Sequence, residues 1–332
     1  MITIEKAILH VLDFHSGVTV YSEQEMDLQE SIQTFLQKHI EKSLARQDAQ
    51  QGSFYPDSAC KVKLEAYKNG ECSFVAFSQE ITKHLENALL HTEDVASTDV
   101  LILDAMVDEQ RKLILFKCNN HVGYVHQIHQ TEQGVQNEII NHYAIMPNLS
   151  QRMDEFTIID MSTLQITLVA KKYPMEGSSV QLLPEIVLEC STQPSQKEAL
   201  KSLEKTTAEV AESFGQDGVA AAAAAKNYVA EHMEISNELD LKRAGEEVFK
   251  DQPAMQADYN RRIEEQGFDQ PVQMDQETTL KKVAKHKLKT DTGIELAIPT
   301  DYFDNTQFVE FYNEADGTIS ITLKHIASII NK

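Results

Sequence analysis

A chain of 332 residues with 42% apolar and 25% charged side chains has an ordinary globular balance and the length for about two domains, each able to bury a core. Its formal net charge of −22, from 52 acidic against 30 basic residues, excludes a surface that attracts phosphate or an anionic membrane as a whole. Contact with a polyanion must come from a local basic patch working against the mean field.

Residues 1–13 lack a basic leader, with Glu5 and His10 interrupting the apolar positions, and no uncharged apolar run approaches the ~20 residues of a membrane helix. A cytoplasmic location without membrane contact is expected. Cys60, Cys72, Cys118 and Cys190 form no C-x-x-C pair. They read as reduced thiols, with Cys118 and Cys190 buried in apolar runs.

Residues 2–12, with Ile2, Ile4, Ile8 and Val11, read as an opening strand. The pattern Ser22-Glu23-Gln24-Glu25 is a capping box. Leu28, Ile32, Phe35, Leu36, Ile40 and Leu44 follow at helical spacing and predict a long amphipathic helix. Residues 46–57 read as a polar loop. Ser78 is placed to cap a second helix with Ile81, Leu85, Ala88 and Leu89 on its buried stripe. Strands are predicted over 100–107, 112–118 and 123–130, and the short turns between them imply an antiparallel meander. A strand pair over 157–159 and 165–170 and a hairpin-like segment over 180–190 close the first half.

Composition changes at residues 191–194, and the chain then reads as helix to about residue 268. Leu200, Leu203, Val210 and Phe214 recur on one face. The alanine run 220–225 has high helix propensity, Pro253 suits a first helical position, and Gly267 suits the position after a helix end. Residues 278–289 are basic, 294–298 alternate as a strand, and Asp316-Gly317 is a hairpin turn preceding Ile319, Ile321 and Leu323. The expected architecture is therefore α+β. A domain over 1–193 carries a mixed or antiparallel sheet with packed helices. The remainder, 194–332, holds a helical segment (194–270), a basic linker and a small β-hairpin region (276–332).

No phosphate-binding glycine loop, dinucleotide fingerprint, H-E-x-x-H or G-x-S-x-G occurs. His126 and His129 have opposite parity on their strand, and His121 and His129 stand about 26 Å apart along it, so these imidazoles do not share one metal ion. No cofactor or metal is expected. Asp104 interrupts an apolar strand, which suits an edge or solvated position; a cryptic hydrolase would require carboxylates converging around it. Lys281, Lys282, Lys285, Lys287 and Lys289 are the one dense basic cluster. Lys281, Lys282 and Lys285 share a face if the segment is helical, and Lys285, Lys287 and Lys289 share one if it is extended. Either way three ammonium groups converge, which a phosphate backbone rewards. Alternatively the lysines pair with nearby acids such as Asp275 and Glu277. Lys171-Lys172 and Arg261-Arg262 are weaker candidates of the same kind.

The runs Thr279-Leu280-Lys281-Lys282, residues 287–296, residues 298–303 and residues 316–321 resemble the bacterial 37-kDa nucleoid-associated protein family of NdpA/YejK type. Residues 7–13, Ile145-Met146-Pro147, Lys171-Lys172-Tyr173 and residues 195–198 follow in the family's order, and the mass of 37.5 kDa agrees. The resemblance implies a non-catalytic, nucleoid-associated protein of the cytoplasm, with double-stranded DNA as partner, directly or through another protein. The family offers no fixed catalytic or DNA-contacting motif, so the five lysines are chosen on charge alone. Through them the chain is expected to contact duplex phosphate without sequence preference. The alternative is an acidic interaction module or DNA mimic that joins the nucleoid through a protein partner. A homodimer is expected, with the stripe of Leu200, Leu203, Val210 and Phe214 either forming its interface or packing internally.

Overall fold

A computed structural model describes residues 1–132, 134–303 and 305–330. The chain is α+β, as the sequence patterning implies, and divides into two compact units, Met1–Gln193 and Pro194–Lys332.

The first unit opens with β1 (Ile2–Asp13) and β2 (Val18–Val20). The expected capping box is not formed. The Ser22 hydroxyl donates to the Leu9 carbonyl and its amide to His10 Nδ1 at 3.0 Å. Ser22 is thereby tied to β1, and helix α1 (Glu30–Leu44) starts only after Gln29. Leu36 and Ile40 are buried, but Leu44 is exposed. Inside the segment read as a loop lies β3 (Gln50–Phe54). Helix α2 (Ala59–Lys68), capped by Ser58, had no periodic signal strong enough to predict it. Helix α3 (Phe74–Leu90) is capped by Ser73 rather than Ser78. Ser78 is buried within it, 3.0 Å from His10 Nε2, and the predicted stripe of Ile81, Leu85, Ala88 and Leu89 is buried.

Then come β4 (Thr98–Val107), β5 (Gln110–Asn119), β6 (His121–Thr131), β7 (Gly134–Ile145), β8 (Glu155–Asp160) and β9 (Ile166–Val169). Strands β10 (Lys172–Met175) and β11 (Ser178–Gln181) form a hairpin. A π-helical turn (Leu182–Val187) and β12 (Cys190–Gln193) replace the hairpin expected over 180–190. The main sheet has eight antiparallel strands in the order β12-β3-β9-β8-β5-β4-β1-β2. The predicted meander is therefore broken. β4 pairs with β5, but the place beside β5 is taken by β8, while β6 and β7 pair as a separate ribbon. The cause is burial. All six residues of β8 are buried, whereas β6 offers histidines and glutamines that a sheet covered on both faces cannot accept.

Both faces of the main sheet are covered. Ile8, Val100, Ile102, Leu113 and Leu115 pack with Leu64 of α2 and Phe77, Ile81 and Leu85 of α3. Leu101, Leu103, Ile114, Phe116 and Phe156 pack with Leu36 and Ile40 of α1.

The second unit holds α4 (Gln196–Ser213), α5 (Gly218–Met233), β13 (Glu238–Leu239), α6 (Leu241–Val248), α7 (Pro253–Glu265) and β14 (Val272–Gln273). Pro253 sits in the first turn of α7, as predicted, and Ser195 and Glu198 make a complete capping box for α4 that is not among the expectations above. Leu200, Leu203 and Val210 are buried in this unit's own core with Val229, Leu241, Tyr259 and Ile263. Phe214, expected on the same stripe, lies at the helix end and is exposed. The stripe thus packs internally through Leu200, Leu203 and Val210. Gly245 is required by close packing: a Cβ there would stand 2.1 Å from the Tyr259 ring.

The chain continues through α8 (Gln276–Val283), β15 (Lys285–Lys289), β16 (Glu295–Pro299), α9 (Thr300–Phe303), β17 (Val309–Asn313) and β18 (Ile319–Leu323). β15 pairs with β16 and β17 with β18. A smaller core of Ala223, Ile298, Phe303 and Val309, with Leu288, Leu296, Phe311 and Ile321 against it, supports these ribbons.

Candidate nucleic-acid interface

The basic cluster falls on two elements. Asp275 caps α8 by accepting from the Thr278 amide at 2.8 Å, and Val283 and Thr279 face inward. Lys281 and Lys282 are left exposed in the last turn, where cations oppose the negative end of the helix dipole. The helix stops at Ala284, and the alternation Lys285-His286-Lys287-Leu288-Lys289 becomes β15. His286 and Leu288 point into the small core, and all three lysines point outward. The turn to β16 places Gly293 at φ +90, with the Gly293 amide donating to the Thr290 carbonyl at 3.0 Å. This is a three-residue hairpin loop with glycine in the left-handed position. The segment is therefore helical to Val283 and extended from Lys285, so neither single-conformation grouping of the lysines applies to all five.

Lys285, Lys287 and Lys289 span about 14 Å along the strand, at ~6.8 Å per residue pair. Along that length of duplex axis one strand carries about four phosphates. Cross-strand neighbours decide how free each cation is. Lys285 lies opposite Pro299 and Lys287 opposite Ala297, neither bearing charge, and neither lysine makes an ion pair among the described residues. Lys289 lies opposite Glu295 and pairs with it at 3.2 Å. Lys281 reaches back four residues to Glu277, whose carboxylate holds the ammonium above its ordinary value. Both pairs are largely in water, where such contacts are weak and exchangeable. Asp275 therefore serves as a helix cap, while Glu277 is a partner of the kind the sequence suggested.

Beneath the lysine face, His286 stacks on Phe303 with ring centroids 4.1 Å apart, and its Nε2 has no hydrogen-bond partner among the described residues. Burial, reinforced by Lys226, lowers its pKa from 6.5 to about 4. His286 is thus neutral and structural at ordinary pH. A cleft of about 200 Å³ beside β15 is lined by Lys287, His286, Lys226, Glu204 and Glu212. Lys226 already pairs with Glu204 there at 3.1 Å.

Three of the four weaker basic candidates, Lys171, Arg261 and Arg262, are paired with carboxylates. Lys171 faces Asp154 at 2.9 Å, Arg261 contacts Asp258 and Glu265, and Arg262 contacts Asp258 at 2.8 Å. Asp104 corrects the expectation of a solvated or edge position. It is buried on the interior strand β4, accepts from Arg111 Nη2 at 2.7 Å and from the Tyr67 hydroxyl, and raises the arginine pKa through these contacts. Such bonding makes it a structural ion pair rather than a free carboxylate. A second buried set escaped sequence reading. Lys117 and Glu155 are both fully buried and 2.8 Å apart, and Lys117 also donates to Tyr173 Oη at 2.7 Å. Burial lowers the lysine pKa despite its carboxylate partner. Their wide sequence separation hid the cluster, although a lysine inside an apolar strand was a usable signal.

Among the described residues no group of three or more His, Cys, Asp or Glu side chains is arranged to hold a metal ion, and no helix is long and apolar enough to cross a membrane. No curated protein matches the chain. The family model described as nucleoid-associated protein YejK matches residues 8–330, a span that includes all five lysines and both hairpins of the second unit. The chain belongs to the nucleoid-associated protein YejK family.

Proposed function

We propose that this protein binds duplex DNA in the nucleoid directly, without sequence preference and without catalysis, through the outward face of β15 and the end of α8. Lys285 and Lys287 make the central phosphate contacts, and Lys281, Lys282 and Lys289 flank them. The observation that carries the reading is the alternation of β15. Its apolar face is fixed in a core, which holds three ammonium groups outward, and two of them, Lys285 and Lys287, lie opposite uncharged residues and make no ion pair among the described residues. Phosphate contacts of this kind fix position without reading bases. The protein acts in the cytoplasm, as a homodimer that presents two lysine faces to one duplex, with the gain in avidity that follows.

The test is a salt titration on two unrelated duplexes. With two to five phosphates engaged by each of the two lysine faces, log affinity should fall with log salt at a slope of about −4 to −9, the same for both sequences. Absence of binding at low salt and high protein concentration would exclude direct contact.

A second reading is favoured by the net charge of −22 and by the Glu277 and Glu295 partners. In it the acidic surface docks a basic protein that is itself on DNA. Capture from native lysate separates the two, because partners retained after nuclease treatment indicate protein contact.

A further inference from the structure

The β6–β7 ribbon has no role in the lysine reading, and its composition is unlike the rest of the chain. Residues 121–145 contain no Lys, Arg, Asp or Pro, and their only acids are Glu132 and Glu138. The ribbon is a sheet of two strands, so each strand has an open edge. Folded proteins blunt such edges with lysine, proline or short strands, and none of these devices is present. A two-stranded ribbon alone is marginally stable in water, so one of this length calls for a covering surface.

Register shows which face needs covering. The pairs Tyr124–Asn141, His126–Ile139, Ile128–Asn137 and Gln130–Val135 place Tyr124, Ile128, Val135 and Ile139 on one side. These four are between 65% and 79% exposed, and Val122 and Tyr143 continue the exposed apolar surface toward the ribbon's base at 58% and 51%. Between the four lie only His126, Gln130, Asn137 and Asn141, so the face carries no Lys, Arg, Asp or Glu.

We propose that this face is the self-association surface of the protein, packing against the same face of a second copy across a two-fold axis. Charge favours a second copy as occupant. Two molecules of net charge −22 repel over most of their surfaces, and this ribbon is where they approach with little opposing charge. Chemistry agrees, because Asn and Gln side chains both donate and accept, and so match their own kind in an isologous contact. Area agrees too. The six exposed apolar side chains present on the order of 700 Å² per chain, so two copies remove about 1,400 Å², within the range of about 1,200–2,000 Å² for a specific interface. Phosphate finds no lysine or arginine on the ribbon, and a basic partner finds only two carboxylates.

The inference supplies a surface for the homodimer of the proposed reading and uses none of the five lysines, so it stands or falls apart from DNA contact. Sedimentation of the full chain and of the Ile128→Lys/Ile139→Lys variant tests it. The wild type should sediment at twice 37.5 kDa. The variant should sediment as the monomer, with dimer affinity reduced about 100-fold or more and circular dichroism unchanged. A wild-type monomer at every concentration would overturn both the dimer and its surface. A dimer equally tight in the variant would overturn the surface alone. A measurement on the wild type guards against a variant that misfolds: amide hydrogen exchange over 121–145 should slow as concentration rises through the dimer range. Exchange independent of concentration would overturn the proposal.

Discussion

The β15–β16 and β6–β7 ribbons have the same antiparallel pairing and opposite surface logic. In β15 every second residue is a lysine, and the residues between, His286 and Leu288, are seated in a core with Ile298 and Phe303. In β6–β7 the alternating apolar residues face water, and no lysine or arginine appears on either strand. A ribbon with one face anchored holds its charges outward at fixed spacing. A ribbon with neither edge paired and an apolar face exposed presents surface that another protein must cover. On the readings proposed above, the first faces a polyanion and the second a copy of itself.

The contrast can be broken by truncating the apolar face of each ribbon. Ile298→Ala should destabilise the second unit by about 2–5 kcal/mol, the cost of a buried aliphatic truncation. Ile139→Ala should change monomer stability by no more than about 0.5 kcal/mol. Urea titrations followed by circular dichroism, at a concentration low enough to keep the chain monomeric, would check both. Similar costs at the two sites would remove the distinction between an anchored and an unanchored ribbon.

A smaller effect is expected with pH. His286 has its folded pKa lowered from 6.5 to about 4, so the unfolded chain binds the proton more readily. Its contribution to stability is complete above pH 6.5 and is lost as pH falls toward 4. The urea midpoint of the second unit should drop between pH 7 and pH 5 by more in the wild type than in His286→Phe, whose ring keeps the stack on Phe303. Equal drops would mean that His286 is not held neutral. The smallest effect concerns the paired lysines. Glu277→Gln with Glu295→Gln should raise duplex affinity about two- to five-fold, because those carboxylates compete with phosphate only weakly in water. A loss of affinity would show that the pairs orient the lysines rather than occupy them.

Much of this fold is legible in the amino-acid sequence. The helices from Gln196 to Glu265 announced themselves by spacing, the alanine run and Pro253. The closing β17–β18 ribbon followed from Asp316-Gly317, although the chain turns through a longer loop, with the Gly317 amide donating to the Glu314 carbonyl and Gly317 at φ +85. The misses were non-local. Ser22 had the chemistry of a cap, but the Leu9 carbonyl competed for its hydroxyl. The turn after β5 implied a third meander strand, but the fully buried β8 outcompeted β6 for that position. The candidate site was half legible. The alternation of β15 was visible, while the anchoring of His286 on Phe303 and the opposition of Lys285 and Lys287 to uncharged residues depend on pairing that only the fold displays.

The central claim is that a few ammonium groups on an anchored strand outweigh, at short range, the repulsion of an anionic molecule. Its most direct test is duplex affinity at low salt for the chain with Lys281, Lys282, Lys285, Lys287 and Lys289 all changed to Gln. The account predicts a loss of about 100-fold or more and a near-flat salt dependence, with the fold intact. Affinity and salt slope equal to the wild type would contradict it.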